Sequence, residues 1–125
     1  MLSISDNKII RVTRGDSFSL DFRDFVVNTL EPDYEKQAIR PGDTLYFGLM
    51  EPNKPFEHAL IRKVATAEPE TDKEGNLIAW KGHFDFSSEM TEFIMPGLYY
   101  YSVKIQHENG DVYTFIPKTK FYIID

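Results

Sequence analysis

The sequence predicts an all-β chain folded as an antiparallel β-sandwich, on three observations. After Pro96-Gly97, the residues Tyr99, Tyr101, Val103 and Ile105 alternate strictly with Tyr100, Ser102, Lys104 and Gln106, the pattern of a half-buried strand. Phe18, Leu20 and Phe22 alternate in the same way with Ser17, Ser19 and Asp21. Turn signals recur along the whole chain, and one of them, Asn109-Gly110, joins the Tyr99 strand to Val112–Ile124 as a hairpin. Ten Phe, seven Tyr and one Trp suit such a fold, because large flat side chains pack well on pleated surfaces.

The elements follow in order. Lys8 to Thr13 is the first expected strand, and Arg14-Gly15-Asp16 turns the chain into Ser17 to Phe22. Residues 23 to 43 read as a long surface connection, with a short strand at Val26-Val27 and punctuation at Glu31-Pro32-Asp33 and Arg40-Pro41-Gly42-Asp43. Thr44 to Met50 is a strand with Leu45, Phe47 and Leu49 inward, and Gly48 on its other face leaves room for a close neighbour. Pro52 and Pro55 mark a loop, and Ala59 to Ala65 is the next strand. Residues 66 to 76 read as a polar, acidic loop turning at Glu74-Gly75-Asn76.

Leu77 to Phe86 follows as a strand, with Gly82 the expected site of a bulge. Residues 88 to 94 read as a short helical turn capped by Ser88, with Met90, Phe93 and Ile94 sharing one face and Pro96-Gly97 stopping it. In the last strand Pro117 implies a bulge or an edge position. The total is seven to eight strands in one domain spanning residues 1–125.

Composition narrows the function classes. With 125 residues and 42% hydrophobic content, the chain can bury a real core. A formal net charge of −6 argues against a general nucleic-acid binder and against docking on an anionic membrane. The absence of cysteine excludes disulfides, thiolate zinc sites and cysteine nucleophiles. The opening residues read as no secretory signal, and no apolar run approaches the ~20 residues of a membrane span. Synthesis and folding in a cytosol are expected, without membrane insertion.

Candidate chemistry is sparse. His58, His83 and His107 lack metal-ligand spacing and read as solvent-facing or structural. Glu68, Glu70, Asp72 and Glu74 could face a hard cation, but their spacing departs from the calcium-loop pattern. There is no nucleophile elbow, phosphate loop or dinucleotide fingerprint. No cofactor, metal or catalytic residue is therefore expected. Gly15-Asp16-Ser17 and Gly42-Asp43-Thr44 read as paired turns, with glycine supplying positive φ and the Asp carboxylate bonding amides ahead; this outweighs an adhesive reading of Arg14-Gly15-Asp16. The aromatics Tyr46, Trp80, Tyr100, Tyr113 and Tyr122 exceed what one small core needs. Tyr46, Trp80, Tyr100 and Tyr113 are the expected interface anchors, with a sugar-stacking platform as the alternative. Tyr99 is a candidate tyrosine-corner residue, at the start of the penultimate strand.

The order of these features resembles small Ig-like tail and baseplate proteins of tailed phages, in particular the N-terminal domain of the siphophage baseplate upper protein. Four stretches carry the resemblance. They are Ile10-x-Val12-x-Arg14-Gly15-Asp16-Ser17-Phe18-x-Leu20; Gly42 to Leu49; Phe84 to Ile105 with its Pro-Gly-x-Tyr-x-Tyr-x-Val-x-Ile run; and Asn109 to Thr114 followed by Phe121 to Ile124. The resemblance implies a non-enzymatic Ig-like attachment module. Its partners would be other tail or baseplate proteins, or further copies of itself, and it would pass from the host cytoplasm into the virion tail. Unlike the baseplate protein, the chain ends with the domain, so a free-standing accessory role is expected.

Overall fold

The computed structural model describes residues 2–4, 7–25 and 38–125. Nine strands are described: β1 (Leu2–Ile4), β2 (Ile10–Thr13), β3 (Phe18–Phe25), β4 (Thr44–Met50), β5 (Ile61–Thr66), β6 (Glu68–Thr71), β7 (Leu77–Phe86), β8 (Gly97–Gln106) and β9 (Val112–Ile124). A 3₁₀ turn, Phe56–His58, precedes β5, and a one-turn helix α1, Ser88–Glu92, follows β7. The expected strand at Val26-Val27 and the Glu31-Pro32-Asp33 turn lie outside the described residues.

Two sheets face each other. The larger runs β1-β2-β9-β8-β4-β5 and the smaller β3-β7-β6. In immunoglobulin letters the smaller sheet is B-E-D, and β5, β4, β8 and β9 are C′-C-F-G. The Pro96-Gly97 strand is thus the penultimate, F-like strand, paired antiparallel with both β4 and β9. Among the described residues, all pairings are antiparallel except β2 with β9, which run parallel from Ile10↔Phe121 to Thr13↔Ile124. Both β1 and β6 are additional to the expected strands: Leu2-Ser3-Ile4 alternates but is only three residues long, and Glu68–Thr71 carries no apolar alternation. β6 replaces part of the expected acidic loop: Glu68, Pro69 and Glu70 pair with Lys81, Trp80 and Ala79 before the ladder shifts at Thr71.

Alternation predicts the interior well. Leu20, Phe22, Leu45, Phe47, Leu49, Phe84, Phe86, Tyr101, Val103, Ile105 and Phe121 are all buried. Phe22, Phe47, Phe84, Phe86, Tyr101 and Phe121 form a continuous ring cluster with centroids 5.1 to 6.3 Å apart, and Phe18 stacks on Phe86 at 4.6 Å. Each such ring removes a large apolar area from water, the main driving force available to a chain without disulfides.

The glycines in strands are explained by what lies against them. A Cβ at Gly48 would stand 2.5 Å from the Phe56 ring, so the glycine seats that ring on the outer sheet face. Gly82 is not a bulge. It pairs regularly with Phe22, and a Cβ there would stand 2.6 Å from Leu45 Cδ2 of the facing sheet. The β8–β9 register shifts around Ser102, leaving Pro117 and Lys118 between Ile116↔Val103 and Thr119↔Tyr101, so Pro117 occupies a bulge as expected. Ser102 Oγ donates to the Ile116 carbonyl at 2.8 Å there, satisfying a buried acceptor.

Candidate interaction surface

The site is built at one end of the sandwich, where the β2–β3 turn meets α1. Gly15 takes φ +84° in that turn, a conformation suited to a residue without Cβ. The Arg14 guanidinium donates to the Glu92 carbonyl through Nε at 3.0 Å and Nη2 at 2.9 Å. Gly15 N–H donates to Thr91 Oγ1 at 3.0 Å, and Ser88 N–H donates to Ser17 Oγ at 3.1 Å. Thr91 is itself buried. The Arg14-Gly15-Asp16 turn is thus a docking brace for α1, with its arginine already engaged. The cap differs from expectation: Ser87, not Ser88, is the N-cap and makes no side-chain cap bond, while Ser88 N–H is satisfied by Ser17 across the turn.

This brace presents an apolar knob. Phe93 is 86% exposed and Met95 76% exposed. The expected shared face of Met90, Phe93 and Ile94 divides: Met90 and Ile94 pack against the core, whereas Phe93 points to solvent. Phe93 is the C-cap and keeps an αR backbone, and Met90 and Ile94, four residues apart, take the buried face between them. Tyr99 Oη donates to the Met95 carbonyl at 2.6 Å, four residues upstream. That is tyrosine-corner geometry, and it ties the far side of the knob to β8. The knob is therefore held from both ends. Composition carried no signal for it; the only hint was the brevity of the helix before Pro96.

The aromatics singled out in the sequence occupy separate places. Tyr46 and Tyr100 lie half-buried on the outer face of the large sheet, and Tyr46 Oη donates to Gln106 Oε1 at 2.9 Å. Tyr122 lies on that same face, with the Arg11 guanidinium 5.0 Å from its ring centre. Trp80 is on the inward side of β7 and packs against the core. Tyr113 pairs with Ile105 at the end of the sandwich and lies 5.5 Å from the His107 ring.

Two polar clusters complete the inventory. His107 and Asp43 are buried together, His107 Nδ1 donating to Asp43 Oδ2 at 2.8 Å. The same carboxylate oxygen accepts from Arg40 N–H at 2.8 Å, so it braces the turn before Gly42 rather than the amides ahead. On the outer face of the small sheet, His83 sits between Asp21 (Nδ1–Oδ1, 2.6 Å) and Asp85 (Nε2–Oδ1, 2.8 Å). Ser19 Oγ donates to Asp85 at 2.6 Å, and Arg23 bridges Asp21 and Glu70. The Asp21 carboxylate, and then Asp85, hold the His83 pKa above its ordinary value.

Two of the four acidic side chains in the run, Glu70 and Asp72, are spent structurally. Glu70 pairs with Arg23, and Asp72 Oδ1 accepts from the Glu74 and Asn76 amides of its own turn. Among the described residues, no three His, Asp or Glu side chains are placed to hold a metal, and no helix is long and apolar enough to cross a membrane. Set against protein-family models, curated proteins and solved structures, the chain gives no match.

Proposed function

We propose that the protein is a non-catalytic attachment module that docks onto other proteins of a phage or prophage tail assembly. The observation that carries this reading is the braced knob of Phe93 and Met95. Two large apolar side chains left in water are costly to a monomer and characteristic of interaction sites. Their preorganisation lowers the entropy lost on docking, because the turn beneath them is already ordered by Arg14, Thr91 and Tyr99. The Ig-like strand order agrees with the resemblance to tail and baseplate proteins, and it is on that resemblance that the phage setting rests. In that setting the chain is made in the host cytoplasm and carried in the virion tail.

The test is retention on a tagged chain of tail proteins made in the same cells. Wild type should retain one or more of them, and a Phe93→Ser/Met95→Ser variant should lose them while keeping the same circular dichroism and melting temperature. Equal retention by the variant would remove the knob from the interface. Retention of no tail protein by wild type would remove the phage setting.

A further inference from the structure

The net charge of −6 hides a sharp division between the two sheets. The six strands of the large sheet contain Arg11, Arg62, Lys63, Lys104, Lys118 and Lys120 and not one Asp or Glu. All 20 acidic residues therefore lie outside its strands, and of these Glu57 and Glu51, from the loop after β4, come beside Lys118 on this face. Strand register puts Arg11, Arg62, Lys104 and Lys120 on the outer face of this sheet, and Lys118 joins them from the bulge. Among the described residues none of these five cations makes an ion pair. Arg62 and Lys118 donate to backbone carbonyls, while Arg11 and Lys104 lie over the Tyr122 and Phe56 rings. The opposite outer face, on the small sheet, carries Asp21, Glu68, Glu70 and Asp85 against Arg23, Lys81 and the shared His83.

We infer that the basic face of the large sheet takes the acidic small-sheet face of a second copy, stacking copies head to tail. The contact is heterologous, so a stack of any length keeps one face of each sign open for the next copy. The small-sheet strands of 8, 10 and 4 residues, at ~3.3 Å per residue and ~4.8 Å apart, offer roughly 350 Å² of projected area per copy. Both sides together reach about 700 Å², which places the contact among weak, transient interfaces. Its attraction is largely Coulombic and falls as salt shortens the Debye length.

A nucleic acid fits this face less well. Base stacking needs an open ring, and here Arg11 covers Tyr122 and Lys104 covers Phe56, which leaves only the half-buried Tyr46 and Tyr100 among the rings named on this face. The charge on the remainder of the chain also repels a long polyanion. The inference is independent of the Phe93 knob, which lies at the end of the sandwich.

The experiment is sedimentation velocity over a concentration series, at about 20 mM and about 500 mM NaCl, where the Debye length differs several-fold. Wild type should show a weight-average mass that rises with concentration at low salt and returns to the monomer value at high salt. Lys104→Glu/Lys120→Glu should stay monomeric at low salt with an unchanged melting temperature. Mixing it with a Glu68→Lys/Glu70→Lys variant should restore association, since the reversed faces again have opposite signs. A wild type monomeric throughout, association untouched by the charge reversal, or no rescue on mixing would overturn the stacking. Tighter binding of the low-salt monomer to fluorescent oligo-dT than to itself would assign the face to nucleic acid instead.

Discussion

The Arg14 guanidinium and the Glu92 carbonyl, 78 positions apart in the chain, are joined by two hydrogen bonds of 3.0 and 2.9 Å. A planar fork meeting one oxygen fixes the angle between the β2–β3 turn and α1, and with it the direction in which Phe93 leaves the surface. Arg14→Ala is expected to cost about 1 kcal/mol of stability, the scale of exposed hydrogen bonds lost to water. Its sharper effect should be local: faster hydrogen exchange at the Ile94 amide, which bonds to Thr91 at the end of the braced turn. Arg14→Lys keeps the charge but not the fork, and should restore little of that protection.

Gly82 and Leu45 meet across the sandwich. Gly82→Ala puts a methyl group into space held by the Leu45 side chain, with no slack because both positions are buried. The expected cost is about 1–3 kcal/mol in urea unfolding. Adding Leu45→Val should recover part of it, since Cδ2 of Leu45 is the atom met first. No recovery would mean that the backbone, not the leucine, is what yields.

Tyr101 carries two separable contributions. Its ring is fully buried, and its hydroxyl donates to the Lys8 carbonyl at 2.5 Å. Burial also raises its phenol pKa well above the ordinary value, so it stays a donor at any working pH. Tyr101→Phe should cost about 1 kcal/mol for the lost hydrogen bond. Tyr101→Ala should cost about 3–5 kcal/mol through the cavity it leaves among Phe22, Phe47 and Phe121.

His83 gives stability a pH dependence of defined sign. Its folded pKa is raised, chiefly by Asp21. Its contribution is therefore fully present below the unfolded histidine value near 6.5 and is lost as pH rises through the higher folded value. Asp85 works from the other side: its pKa is lowered by Ser19 and His83, so its share is present above the unfolded aspartate value and is lost as pH falls through the folded value. The combined effect should peak between the two windows and stay small, because His83 and Asp85 are open to screening water. A ¹H–¹⁵N titration of the imidazole should place the His83 pKa above that of an unfolded peptide, and Asp21→Asn should bring it down. His83→Gln should flatten the difference in melting temperature between pH 6 and pH 9.

The alternation of Phe18 to Phe22, Leu45 to Leu49 and Tyr99 to Ile105 already says which side chains go inward, because a strand's two faces are a local property of period two. The same holds for the Asn109-Gly110 hairpin, the positive φ of Gly15 and Gly42, and the displaced ladder at Pro117. What the sequence by itself determined was therefore the class of fold, most of its core and several of its turns. Only the tertiary structure decided which sheet each strand joins, and from that come the parallel pairing of β2 with β9, the strand pairing of Glu68–Thr71, and the separation of a wholly non-acidic sheet from the carboxylates. It also turned Phe93 away from the face it was expected to share with Met90 and Ile94, and drew Trp80 against the core. These outcomes depend on pairings between residues far apart in the chain, such as Arg14 with Glu92 and Gly82 with Leu45, and no local period encodes them.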